Sequence, residues 1–142
     1  MFIRSTRVIR VPKKIILENK EKYWSDYTKF IELAETSTGL SPADLLERYE
    51  ILISELESNL YFEWIYENTG EEPTITKIHN LLSNELFKNN ILRNEFHQKI
   101  GDLDTRMKKF LIASSLNDEN WWVDFKEDKI DWEKVKSEQK AE

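Results

Sequence analysis

The chain of 142 residues has no cysteine. That excludes a disulfide framework and thiolate metal sites, and it fits a reducing compartment. There are only three glycines, Gly39, Gly70 and Gly101, spread along the sequence. Glycines so far apart cannot build a phosphate-binding loop. The two histidines, His79 and His97, belong to no His-x-x-x-His or Glu-x-x-His pair. On one continuous helix they would lie about 27 Å apart, too far to share a metal. His79 reads as a helix-surface histidine. No run approaches the ~20 apolar residues of a membrane span. Residues 2 to 11, FIRSTRVIRV, carry three arginines where a signal peptide keeps an uninterrupted apolar segment. The expectation is a soluble cytoplasmic protein with no catalytic residues, metal or cofactor.

The charge that is present is unevenly placed. Residues 1 to 22 hold seven bases against two acids, a net of +5. The remainder holds 14 bases against 25 acids, a net of −11, which brings the chain to −6. A basic arm on an acidic body repels nucleic acid everywhere except at the arm. The simpler reading is that the arm pairs with its own acidic body.

Long glycine-poor intervals with recurring apolar residues predict an all-α chain. Residues 1 to 16 read instead as a basic extended arm, being β-branched and broken by Pro12. A first helix is predicted over about 17–37, facing inward through Tyr23, Tyr27, Phe30 and Ala34, widened by Trp24 and Ile31. The second is the best defined. It opens with Ser41 as N-cap, Pro42 at the first position and Asp44 at the third. Leu40 and Leu45 stand where a hydrophobic staple belongs. Its stripe is Leu45, Tyr49, Leu52, Leu56 and Leu60, and about 26 residues would make a rod of roughly 39 Å. Its acids Glu47, Glu50, Glu55, Glu57, Glu63 and Glu67 read as a solvated face. Leu60, Tyr61, Phe62, Trp64, Ile65 and Tyr66 wrap most of its circumference, which predicts a homodimer.

A third helix is predicted from Thr74, with Asn89-Asn90 as its weak point. The rhythm Leu92, Phe96, Ile100, Leu103, Met107 and Phe110 crosses Gly101 without a change of phase, so the helix is expected to continue through it, the alternative being a turn at Gly101 with Asp102 as the next N-cap. Residues 75 to 96 also admit a helix-turn-helix division, with a helix at 75–82, a turn at Ser83-Asn84 and a second helix from Glu85. Lys88 and Arg93 would then face a DNA groove, joined by Arg4, Arg7 and Arg10 of the arm. The acidic body and the unbroken apolar spacing weigh against this division.

The last segment departs most from a plain helical domain. NDENWWVDFKEDKIDW, residues 117 to 132, holds three of the five tryptophans among carboxylates. It either closes the protein's own core or offers an aromatic anchor to a basic, apolar partner. Trp122 and Phe125, three apart, are expected to pack inward, with Trp121 and Trp132 partly exposed. Asp131 is expected to cap a last short helix.

The expected architecture is therefore an antiparallel helical bundle of three to four helices over 17–116. The arm precedes it, and an acidic, aromatic C-terminal segment, 117–142, completes the same domain and frays at its end. The expected function is binding to a protein, as an adaptor, inhibitor or assembly factor, with Trp121, Trp122, Phe125 and Trp132 as contact residues. Small acidic helical chains rich in Asn, Lys and Ile are common among accessory proteins of phages and mobile elements, a likeness of composition alone. The competing expectation is a nucleic-acid-binding regulator that uses the arm and residues 75–96.

Overall fold

A computed structural model describes residues 13–58, 73–123, 125 and 127–135. The described chain is mostly helical, with no strand; its nearest approach to one is an isolated antiparallel bridge between Leu111 and Ile130. The helices are α1 (Lys13–Glu18), α2 (Lys20–Thr38), α3 (Pro42–Ser58), α4 (Thr74–Leu82), α5 (Arg93–Lys108) and α6 (Ala113–Leu116). Short 3-10 turns stand at Glu85–Phe87 and Glu127–Lys129. Several expectations lie outside the described residues: the structure of the arm over 1–12, the second helix beyond Ser58 with its apolar wrap of 60–66 and the acids Glu63 and Glu67, and the frayed end after 135.

Residues 13 to 16, expected in the extended arm, are helical and belong to α1. The predicted first helix is divided at Asn19. The Asn19 side chain donates to the Ile15 carbonyl at 3.0 Å, a local bond that competes with the helical ladder. α2 ends at Gly39, whose φ of 81° is the left-handed conformation that glycine adopts without a Cβ clash. α3 starts as its sequence requires: Ser41 Oγ accepts the Asp44 N–H at 3.1 Å. Leu45, Tyr49, Leu52 and Leu56 of its stripe are buried, with Leu46 and Ile53 beside them.

The third helix is not continuous from Thr74. It stops after Leu82, and the next helix begins at Arg93. Two asparagines account for the interruption. Asn84 Oδ1 accepts the Leu86 N–H and Asn90 Oδ1 accepts the Leu92 N–H, both at 2.9 Å. The gain is tertiary: Phe87, fully buried, stacks on Phe30 at 4.5 Å and meets Phe96 edge-on at 5.8 Å.

The same connection is fastened to α2 through Asp26, a buried carboxylate. Its Oδ2 receives Lys22 Nζ and the Ile91 N–H, each at 2.8 Å. Asn90 Nδ2 donates to the Asp26 carbonyl at 2.8 Å, and Lys22 also reaches the Asn89 carbonyl at 3.1 Å. The inward side of α2 is Asp26, Phe30 and Ala34, with Tyr23 half-buried against the core: Phe30 and Ala34 of the predicted face are buried, while Tyr27 and Trp24 turn outward. α2 packs on α3 and α4, α3 on α4 and α5, and α4 on α5.

α5 runs through Gly101 as its rhythm predicts, with Phe96, Ile100, Leu103 and Met107 buried. Gly101 is exposed, and nothing lies within 4 Å of where a Cβ would stand. Gly101→Ala is expected to raise stability by about 0.5–1 kcal/mol. The readout is a higher urea midpoint at unchanged slope; a lower midpoint would count against a regular helix at this position.

Candidate functional site

The C-terminal segment is built into the fold at its backbone. Ile112 N–H donates to the Lys129 carbonyl at 2.9 Å and Asp131 N–H to the Phe110 carbonyl at 2.7 Å. Lys129 Nζ donates to the Trp121 and Val123 carbonyls at 2.9 and 2.7 Å. Thr76 of α4 donates its hydroxyl to the Trp122 carbonyl at 2.5 Å. Asp131 caps a closing helical turn over 132–135, its Oδ1 accepting the Glu133 and Lys134 N–H groups.

Trp121, expected to be partly exposed, is 4 % exposed and belongs to the core, as does Phe125. Trp122, expected to face inward, is half-buried, as is Trp132, and both pack against the core surface. The two adjacent tryptophans have exchanged their expected positions. The cause is local: residues 120–123 form a turn, so the three-residue helical spacing from Trp122 to Phe125 sets no common face.

What these rings pack on is a polar cluster. His79 lies flat against Trp122, with ring centroids 5.0 Å apart and planes 7° from parallel. Trp121 meets it in a T-shaped contact at 5.8 Å, and Trp121 in turn meets Phe125 at 5.9 Å. His79 is thus no surface residue; its side chain is 12 % exposed. Its Nε2 lies 3.0 Å from Asp104 Oδ2, but without the alignment of a hydrogen bond, so the contact is one of proximity. The other carboxylate oxygen accepts the Tyr49 hydroxyl at 2.5 Å, the short distance of a bond to an anion. Burial, reinforced by the Asp104 charge and by this hydrogen bond, holds the Tyr49 phenol well above its ordinary pKa.

The cluster ties α3, α4 and α5 together beneath the aromatic segment. Beside it, Arg106 of α5 bridges to Glu50, at 2.6 Å, and to Glu57 of α3. These acids, expected on a solvated face, serve instead as partners between helices. A signal for His79 was present in the sequence: it stands four after Ile75 and three before Leu82, both buried.

The residues named for nucleic acid are not brought together. Arg4, Arg7 and Arg10 lie outside the described residues. Lys88 is exposed, while Arg93 is half-buried at the start of α5. The turn at Ser83-Asn84 exists, but only a 3-10 turn follows where a second helix was expected from Glu85. Lys88, Asn89 and Asn90 sit in the connection that is pinned to Asp26, and the Asn90 amide is already engaged on both sides.

Sequence reasoning missed the most exposed tryptophan surface of the described chain. Trp24 on α2 is 64 % exposed and Tyr27 is 41 % exposed, although both were expected to face the core. Tyr23, Trp24 and Tyr27 form one group, with ring centroids 5.2 to 6.3 Å apart. A tryptophan side chain offers on the order of 150–250 Å². Covering the exposed part of Trp24 would therefore contribute roughly 2–4 kcal/mol at about 25 cal/mol per Å². Its overlooked signal is Asp26: pairing that carboxylate with the 89–91 connection turns the opposite flank of α2 outward.

Among the described residues there is no group of three or more His, Asp or Glu placed to hold a metal, and no helix long and apolar enough to cross a membrane. No family model, curated protein or solved structure matches the chain.

Proposed function

We propose that this protein is a protein-binding accessory factor, an adaptor, inhibitor or assembly factor that acts by docking. The observation that carries the reading is the exposed aromatic group on α2, with Trp24 at its centre. Tryptophan and tyrosine are favoured at interface hot spots because large rings bury much surface while freezing few rotors. The C-terminal aromatics have a supporting part in this reading. Trp121 and Phe125 close the core, and the half-buried Trp122 and Trp132 add to the contact surface. The proposed antiparallel bundle would suit the role, supported by the short connection of α2 to α3 through only Gly39, Leu40 and Ser41: a rigid scaffold presents its outer flank at little ordering cost.

Trp24→Ala is expected to leave folding stability within about 0.5 kcal/mol, as surface changes do. Partner affinity should fall by about 2 kcal/mol or more, roughly thirtyfold. Tagged wild-type and variant protein, incubated with nuclease-treated extract, give the comparison. Proteins captured by the wild type and lost with the variant support docking through α2. Capture that disappears on nuclease digestion would favour the nucleic-acid regulator instead. Capture unchanged by Trp24→Ala would overturn the assignment of this face.

A further inference from the structure

We infer that the partner element seated on α2 is an amphipathic helix with a basic rim, an inference that rests on the reading of α2 as the docking face. Trp24, Tyr27 and Ile31 are spaced three and four apart, so they form one row along the flank. The row spans about 10 Å, the length of two turns of a facing helix. Trp24 and Tyr27 are exposed and Ile31 is half-buried, which gives the row a seated end and an open one. On its solvent side, helical periodicity places Glu21, Thr28, Glu32 and Glu35, all exposed. Lys20, one turn before Trp24, is the base on the row itself. The other two lysines of α2 belong elsewhere: Lys22 is held by Asp26 and the Asn89 carbonyl, and Lys29 projects from the far side.

An aromatic row edged by three carboxylates, on a chain of net charge −6, complements an apolar stripe flanked by lysine or arginine. A second copy docking through the same face would set the acidic edges against each other, so the observations favour a different, basic chain.

Two synthetic 18-residue helices with the same leucine stripe, one with a lysine rim and one with a glutamate rim, test the inference. Each is fluorescein-labelled and titrated with the full chain at 150 mM salt, followed by anisotropy. The lysine-rim helix is expected to bind at least about tenfold more tightly than the glutamate-rim one. Trp24→Ala should weaken it by about tenfold or more, and so should the double change Glu32→Lys, Glu35→Lys. The double change Glu85→Lys, Glu119→Lys alters net charge equally at exposed positions off the flank and should have a much smaller effect. Equal losses from the two double changes, or equal binding of the two helices, would overturn the basic partner while a Trp24 effect kept the docking face. No effect of Trp24→Ala, or no binding of the lysine-rim helix at 100 μM, would overturn the inference outright. Sedimentation of the free protein adds the remaining outcome: a dimer that Trp24→Ala dissociates would make a second copy the occupant and remove the basic helix.

Discussion

Replacing Trp121 by alanine is expected to cost about 3–5 kcal/mol, the range for a deleted buried aromatic ring. Its ring stands between the rings of His79 and Phe125, close to perpendicular to both, and it is 4 % exposed. Its removal leaves a cavity that neighbours pinned by backbone bonds are poorly able to fill. Thr76 fixes the Trp122 carbonyl, and Lys129 fixes the carbonyls of Trp121 and Val123. A domain is stable by about 5–15 kcal/mol, so the variant would unfold at much lower urea. Trp122→Ala should cost less, about 1–2 kcal/mol, because that ring is only partly buried and loses mainly its stack on His79. Urea titration followed by far-ultraviolet circular dichroism reads both. Equal costs for the two tryptophans, or a Trp121 cost below about 0.5 kcal/mol, would show that the segment does not close the core.

The helices were legible wherever local chemistry and tertiary packing agree. The Ser41, Pro42 and Asp44 signature starts α3 where it reads. The Leu92-to-Phe110 rhythm marks buried residues at every position and passes Gly101 undisturbed. Legibility failed where one polar residue outweighed an apolar pattern. Asp26 binds the 89–91 connection and so rotates α2, sending Trp24 and Tyr27 outward although their spacing suggests a core face. Asn84 and Asn90 divide a stretch whose apolar spacing runs on without a break, because Phe87 must reach Phe30.

The candidate sites were less legible than the helices, for a related reason. Adjacent tryptophans in a turn carry no periodicity, so nothing in NWWVDF marks Trp121 as the buried one. His79 and Asp104, 25 positions apart, meet only because α4 packs on α5. A histidine on a helix near Ile75 and Leu82 can be placed on the apolar arc from sequence, but its partner cannot.

Removing the shared neighbour of that cluster should be the next most costly change after Trp121. Asp104→Ala leaves the buried Tyr49 hydroxyl without its acceptor and His79 without its neighbouring charge. Only the Tyr49 hydroxyl is hydrogen-bonded to Asp104, and a buried polar group left unsatisfied costs about 1–3 kcal/mol, so a loss of that size is expected. Tyr49→Phe keeps the ring and should cost about 1–2 kcal/mol. The two changes share one bond, so the double variant should lose less than their sum, by about 1 kcal/mol or more. Alkaline pH gives an independent measure. The Tyr49 phenol is held above its ordinary 10.0 in the folded protein, by burial first and then by Asp104. As pH rises past about 10, the unfolded chain loses this proton while the folded chain keeps it. The unfolded state then binds fewer protons, and stability falls by up to about 1.4 kcal/mol per pH unit until the folded phenol itself ionises. Tyr49→Phe should lack that component of the alkaline decline, while lysines and the other tyrosines titrate alike in both proteins. Urea midpoints of the two proteins between pH 8 and 11 decide it: parallel declines would mean that Tyr49 does not hold its proton against the carboxylate of Asp104.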